Sequence, residues 1–224
     1  MIYKESLIRP TVIPKELIPQ MKRSDGDVIR YDLVRYGAGK GAFALARALK
    51  DIPGFCYTFF MRKVACHRDG KGIVSRLAYP LFLLILRRYR YKYGIDISPA
   101  AEVGPGLYIG HFGGIVVSPF AKIGANVNIN QGVTIGTINR GPRAGTPVIG
   151  DRVWIGANAI VVGHISIGDD SLIGPGAFVN FNVPAQSIVI GNPGKVVSHK
   201  GSADYINNLA DLPCSKTEKV TAGS

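Results

Sequence analysis

His111 and Asp96 are the residues whose types and spacing could do chemistry. His111 lies in Gly110-His111-Phe112-Gly113-Gly114, where small neighbours let a ligand approach the backbone. Asp96 stands 15 positions upstream. A carboxylate that accepts from one imidazole nitrogen fixes the tautomer and stabilises the imidazolium, which leaves the other nitrogen as a general base. The other histidines have plainer settings. His67 sits in a basic linker, His164 follows Gly163 at a turn, and His199 lies near the end of the chain.

The pair matters only if the fold brings it together, and a repeat provides the ruler. An aliphatic residue returns every sixth position through Ile97, Val103, Ile109 and Ile115. After a shift of two come Val117, Ile123, Ile129 and Ile135, and after one long gap Ile149, Ile155, Val161, Ile167, Ile173 and Val179. A six-residue period predicts a parallel β-helix in which three hexads make a triangular coil of about 18 residues. Glycine after many of these residues is expected to allow tight turns or a positive φ, and Asn126, Asn128, Asn158 and Asn180 suit the same corners. On this ruler His111 falls one coil after Asp96 and half a hexad short of stacking on it. Between Ile135 and Ile149 eight extra residues leave the coil, so 136–147 form a Gly/Pro-rich loop carrying Arg140 and Arg143.

The whole formal net charge of +12 lies in residues 1–95, which hold 19 Lys/Arg and 7 Asp/Glu; residues 96–224 hold 8 of each. The expected organisation is a basic, mainly helical domain over 1–93, the β-helix over 94–197, and a polar, mobile tail over 198–224. Leu77–Leu86 is too short an apolar run to span a bilayer, yet Arg87-Arg88-Tyr89-Arg90-Tyr91-Lys92-Tyr93 follows it directly. That order suits either an interfacial segment on anionic lipid or a helix packed on the β-helix or a sister subunit. No nucleic-acid motif accompanies the charge. Met1–Gln20 does not read as a signal peptide. Cys56, Cys66 and Cys214 are odd in number and lack metal spacing, which points to a reduced cytoplasmic chain without a metal site.

Three blocks resemble the serine acetyltransferase family of left-handed β-helix acyltransferases: Gly94-Ile95-Asp96-Ile97-Ser98-Pro99-Ala100-Ala101, Gly110-His111-Phe112-Gly113-Gly114-Ile115-Val116-Val117 and Gln131-Gly132-Val133-Thr134-Ile135-Gly136. The likeness runs from Gly94 to Val197. It implies an N-terminal helical domain before a left-handed β-helix, with His111 as base and Asp96 as its orienting carboxylate. Acetyl-CoA is the implied co-substrate, held between subunits of a homotrimer that could pair into a hexamer. By position, Gly136, Thr137, Gly156, Ala157, Gly174 and Pro175 would line its pantetheine arm, and Lys195, Arg140 and Arg143 would meet its phosphates. Trp154, which precedes inward Ile155, would point outward near this groove or serve trimer packing.

The acceptor side departs from the family pattern. The family has Asp before the catalytic His, where this chain has Gly110. The family's Arg-His pair before a Pro is replaced by Gly145-Thr146 before Pro147, and no Asp-Pro occurs. Serine is a zwitterion and needs both a cation and an anion, so Gly110 and Thr146 mark a changed acceptor site. The expectation is therefore acetyl transfer to a sugar hydroxyl of a surface polysaccharide or its precursor, cytoplasmic or at the inner membrane face. L-Serine O-acetylation and a catalytically silent assembly β-helix are the alternatives.

Overall fold

The computed structural model describes residues 25–39, 41–70 and 72–212. Segment 1–24 and the end of the tail with Cys214 lie outside the described residues. Among the described residues four helices precede the strands: α1 (Asp25–Arg35), α2 (Ala42–Asp51), α3 (Pro53–Asp69) and α4 (Ile73–Tyr93). Pro53 begins α3, where its missing N–H is not needed. Gly94 ends α4 in the left-handed region. Along α4, Tyr79, Phe82, Leu86, Tyr89 and Tyr93 pack inward, while Ile73, Leu77, Leu81 and Leu84 stay exposed. No helix among the described residues is long and apolar enough to cross a membrane.

Short parallel strands then stack into three faces. The first holds β1 (Ile95–Ile97), β4 (Ile115–Val117), β7 (Thr134–Gly136), β10 (Ile160–Val162) and β13 (Phe178–Val179). The second holds β2 (Glu102–Val103), β5 (Lys122–Ile123), β8 (Val148–Ile149) and β11 (Ser166–Ile167). The third holds β3 (Tyr108–Ile109), β6 (Asn128–Ile129), β9 (Trp154–Ile155), β12 (Leu172–Ile173) and β14 (Ile188–Ile190). β15 (Lys195–Ser198) closes that last face antiparallel to β14.

Apart from half-buried Val103, every residue of the six-residue series is buried. Most hexads also bury the residue two positions earlier, as at Val127, Val133, Val153, Ala159 and Ala177. This second column revises the reading of Ile115. It pairs with Ile95 and lies two before Val117 in the same strand, so both face the core. The strand register does not slip there. Two extra residues enter instead between Ile109 and Val117, at the corner that carries His111, and the first coil is 20 residues long on all three faces.

The 136–147 excursion lengthens its coil to 26 residues and leaves all three faces in register. It is a small hairpin, closed by a two-way backbone pairing of Ile138 with Gly145. The glycines after the inward residues do a different job from the one expected. A Cβ on Gly104 would sit 2.6 Å from the Gly124 backbone, and one on Gly124 would sit 2.5 Å from Gly150. Coils approach too closely there for a side chain, while the positive φ angles fall elsewhere, at Asn126, Arg152, Asn158 and Asp170.

The helical domain covers the open edge of the first coil with side chains. Tyr57 donates to Ile97 O and accepts the Ile97 N–H, both at 3.0 Å. Tyr36 accepts the Ile109 N–H at 2.9 Å. Arg62 donates to Val103 O and Gly104 O at 2.5 and 2.6 Å, and Asp32 accepts the N–H groups of Gly106 and Leu107 at 2.8 and 2.9 Å. Asp32 and Arg62 are themselves a buried ion pair.

Residues 198–212, grouped by sequence with the polar tail, are folded. They run back from the fourth coil to the helical domain, with Ser202, Ile206 and Ala210 buried. Ser202 donates to Arg152 O at 2.6 Å, Asn126 exchanges two hydrogen bonds with the Ala210 backbone, and Arg35 donates to Asn207 O at 2.9 Å.

Candidate active site

His111 is exposed on the enlarged corner between the third and first faces. The corner is wide because Gly113 and Gly114 take φ of 108° and 68°, which a side chain would resist. Gly113 O accepts the Gly132 N–H at 2.8 Å, which pins the bulge to the next coil. Phe112 leans on Tyr93 with ring centroids 5.6 Å apart. His111 itself makes no hydrogen bond among the described residues.

Asp96 sits at the middle of β1, level with Val116 on β4. Gly94 backs directly onto Gly113 and Gly114. Asp96 thus lies at the start of the first coil and His111 on the corner that ends it, on one side of the prism and less than a full turn apart. The dyad is not closed. Asp96 Oδ2 accepts from Arg90 Nη2 at 2.5 Å, and no hydrogen bond joins it to His111. Arg90 comes from the last turn of α4, an arrangement outside the reach of a hexad count. The ion pair is half exposed, so water screens it and a competing partner can replace it.

The candidate cofactor residues fall on two edges of the prism. Gly156, Ala157, Gly174 and Pro175 continue the corner that carries Gly110 and His111; Gly156 and Gly174 have no room for side chains against the neighbouring coil. Gly136 and Thr137 lie on the next corner, where Thr137 and Ser118 hydroxyls meet at 2.9 Å. The hairpin folds over that second edge. Arg143 O accepts the His164 N–H at 3.0 Å, Arg143 Nη1 donates to Asn180 Oδ1 at 3.4 Å, and Arg140 is exposed. Thr146 donates to Phe120 O at 3.0 Å, so it lies on the same second edge, apart from Gly110. Lys195 begins β15 and is exposed. One chain thus presents these residues on separate edges.

One feature beside His111 escapes sequence reasoning. Tyr108, Asn128 and Trp154 each precede an inward isoleucine and stack in register on the outside of the third face. With Arg35, Asn130 and Tyr205 they line a cavity of about 280 Å³. The column could be found from the hexads; Arg35 and Tyr205 arrive from distant segments. The cavity adjoins the corner that carries His111, since a Cβ on Gly110 would lie 3.1 Å from Asn130 Oδ1 and 3.4 Å from the Tyr108 ring. Among the described residues no group of three or more His, Cys, Asp or Glu could hold a metal ion.

A bacterial transferase hexapeptide (six repeats) model matches residues 146–180. With the stacked coils and the exposed histidine corner, this defines a hexapeptide-repeat transferase with a left-handed β-helix behind a helical domain. The chain is 36% identical to the serine acetyltransferase of Bacillus subtilis (strain 168) over 154 residues, covering 68% of this chain and 71% of that one. To the serine acetyltransferase of Mycobacterium tuberculosis it is 38% identical over 143 residues, 64% of this chain and 62% of that one. The Neisseria gonorrhoeae serine acetyltransferase, solved in complex with serine, superposes with a TM-score of 0.62 at 31% identity, covering 78% of this chain and 69% of that one. The chain belongs to the serine acetyltransferase family, and is an acetyl-CoA-dependent acyltransferase. The catalytically silent reading has no support from these relatives.

Proposed function

We propose that the chain moves acetyl from acetyl-CoA directly to an acceptor hydroxyl, with His111 as general base, and that L-serine is the acceptor. The kinship to proteins named serine acetyltransferase carries the choice of acceptor. In this reading a His111 ring nitrogen takes the hydroxyl proton as the oxygen attacks the thioester carbonyl. Backbone N–H groups hold the developing oxyanion. The C–S bond then breaks, and the imidazolium returns its proton to the departing thiolate. Products are the O-acetyl ester and free CoA. Asp96 leaves Arg90 for His111 when substrates assemble, which fixes the tautomer. A homotrimer supplies the missing half of the groove: the Gly156–Pro175 edge of one subunit meets the Gly136-Thr137 edge and hairpin of the next, with Lys195, Arg140 and Arg143 towards the CoA phosphates.

A second reading, acetylation of a sugar hydroxyl in a surface polysaccharide or its precursor, draws on one specific observation. Gly110 stands beside a cavity lined by no carboxylate, so nothing there partners an ammonium group. The exposed apolar stripe of α4, continued by Arg87 and Arg88, suits a peripheral position at the inner membrane face in that reading.

Thiol release from acetyl-CoA, measured with L-serine and with a panel of sugars, separates the two. Release with L-serine alone establishes the first reading, and release with sugars alone replaces it by the second. His111→Ala is expected to lower turnover at least about 100-fold with acetyl-CoA binding retained. Turnover within a few-fold of the parent would remove His111 from the mechanism.

A further inference from the structure

The cavity beside Gly110 contains an unusual charge. Arg35 is 2% exposed, and no carboxylate pairs with it among the described residues. Its Nη2 donates to Asn128 Oδ1 and its Nη1 to Asn207 O, while its Nε is a buried donor without an acceptor. The nearby carboxylate of Asp32 is already committed to Arg62 and two backbone N–H groups. A buried cation without an anion is costly; its two hydrogen bonds tie α1 to β6 and to the returning segment, but they leave the charge itself unneutralised.

The rest of the lining is aromatic and amide. Trp154 and Tyr205 meet at 5.3 Å between ring centroids, and the Arg35 guanidinium lies 5.8 Å from the centre of the Tyr108 ring. Asn130 Nδ2 donates to Ile155 O, which leaves its Oδ1 facing the Gly110 side. Aromatic faces take the C–H face of a saturated sugar ring, amides read its hydroxyls, and the guanidinium takes a carboxylate. At about 280 Å³ the space is at the small end of ligand pockets, enough for one ring.

We infer that this cavity binds a single hydroxylated sugar ring bearing one carboxylate, held by Arg35 and stacked on Trp154 and Tyr205. Binding as such does not depend on what the enzyme acetylates. Its use as the acceptor subsite rests on the second reading above and on His111 as base, because the cavity opens beside the residue preceding His111.

Trp154 is the sole tryptophan of the chain, so its emission reports the site directly. The full-length protein is titrated with D-glucuronate, D-glucose and L-serine. D-Glucuronate is expected to change the emission saturably, with D-glucose at least about tenfold weaker for want of the charged contact. Arg35→Gln should erase that preference. Tyr205→Ala, at a half-exposed position that tolerates truncation, should weaken D-glucuronate about tenfold even if the Arg35 variant fails to fold. No saturable change with D-glucuronate overturns the site, as does a response to L-serine alone. Equal responses to the two sugars overturn the assigned charge. D-Glucuronate binding without thiol release from acetyl-CoA keeps the site and removes it as the acceptor subsite. Thiol release with L-serine and no sugar binding removes the inference while leaving acetyl transfer by His111 in place.

Discussion

At its first coil the β-helix meets side chains, and at its last coil it meets backbone. Tyr57 and Arg62 from α3, Asp32 from α1 and Tyr36 just after α1 hydrogen-bond the edge of β1, the end of β2 and the edge of β3. At the other end β15 pairs with β14, and the Gly194 N–H reaches Phe178 O at 2.8 Å. Both satisfy strand edges that would otherwise recruit another chain. The first concentrates the task in four polar groups, two of them charged and all of them buried or nearly so. The second spreads it over many peptide groups that any residue supplies.

Substitutions can break that contrast. Asp32→Ala should be the most damaging, because it strands the Arg62 guanidinium and two N–H groups; about 3–5 kcal/mol of lost stability is expected in urea unfolding. A loss under about 1 kcal/mol would show that the edge is held by packing alone. Tyr57→Phe removes only the hydroxyl and leaves Ile97 N–H and C=O unpaired, for about 1–3 kcal/mol.

The same tyrosine should give the first end a pH signature. Burial pushes the Tyr57 phenol from an ordinary 10.0 up to about 12. The folded chain therefore keeps a proton that the unfolded chain has released. Its contribution is complete below pH 10 and is lost as pH rises towards 12, with a slope of about 1.4 kcal/mol per pH unit. Tyr36 is raised further by burial and adds to the trend. Tyr57→Phe should flatten the alkaline limb of a stability–pH curve, and an unchanged limb would assign it elsewhere. Least affected is the backbone end, where Lys195→Ala should shift stability by no more than about 0.5 kcal/mol. A larger shift would mean that side chains matter there too.

The contrast also explains what the sequence reveals. Inward residues such as Ile129, Ile155 and Ile173 repeat because each contacts its equivalents one coil away, so local spacing carries their burial. The second buried column, with Val133 and Ala177, has the same period but mixed sizes, and is easily read as a shifted register at Ile115. Asp96 and His111 can be placed near one corner of the prism by counting. Arg90 cannot, because the rotation of α4 about the first coil is set by packing and not by any repeat. Arg35 and Tyr205 fail for the same reason: one comes from α1 and one from the returning tail. The corner holding His111 is legible in retrospect from the eight positions between Ile109 and Val117, against six at every equivalent corner.

The returning segment 198–212 changes how the molecule can come apart. A stack of coils that touch only their neighbours ordinarily frays from its last repeat inward. Here Ser202, Asn126 with Ala210, and Arg35 with Asn207 fasten the far end to the third coil, the second coil and α1 in turn. The last coil cannot peel away without dragging contacts off the helical domain, so the linear array behaves as a closed ring in which neither end opens alone.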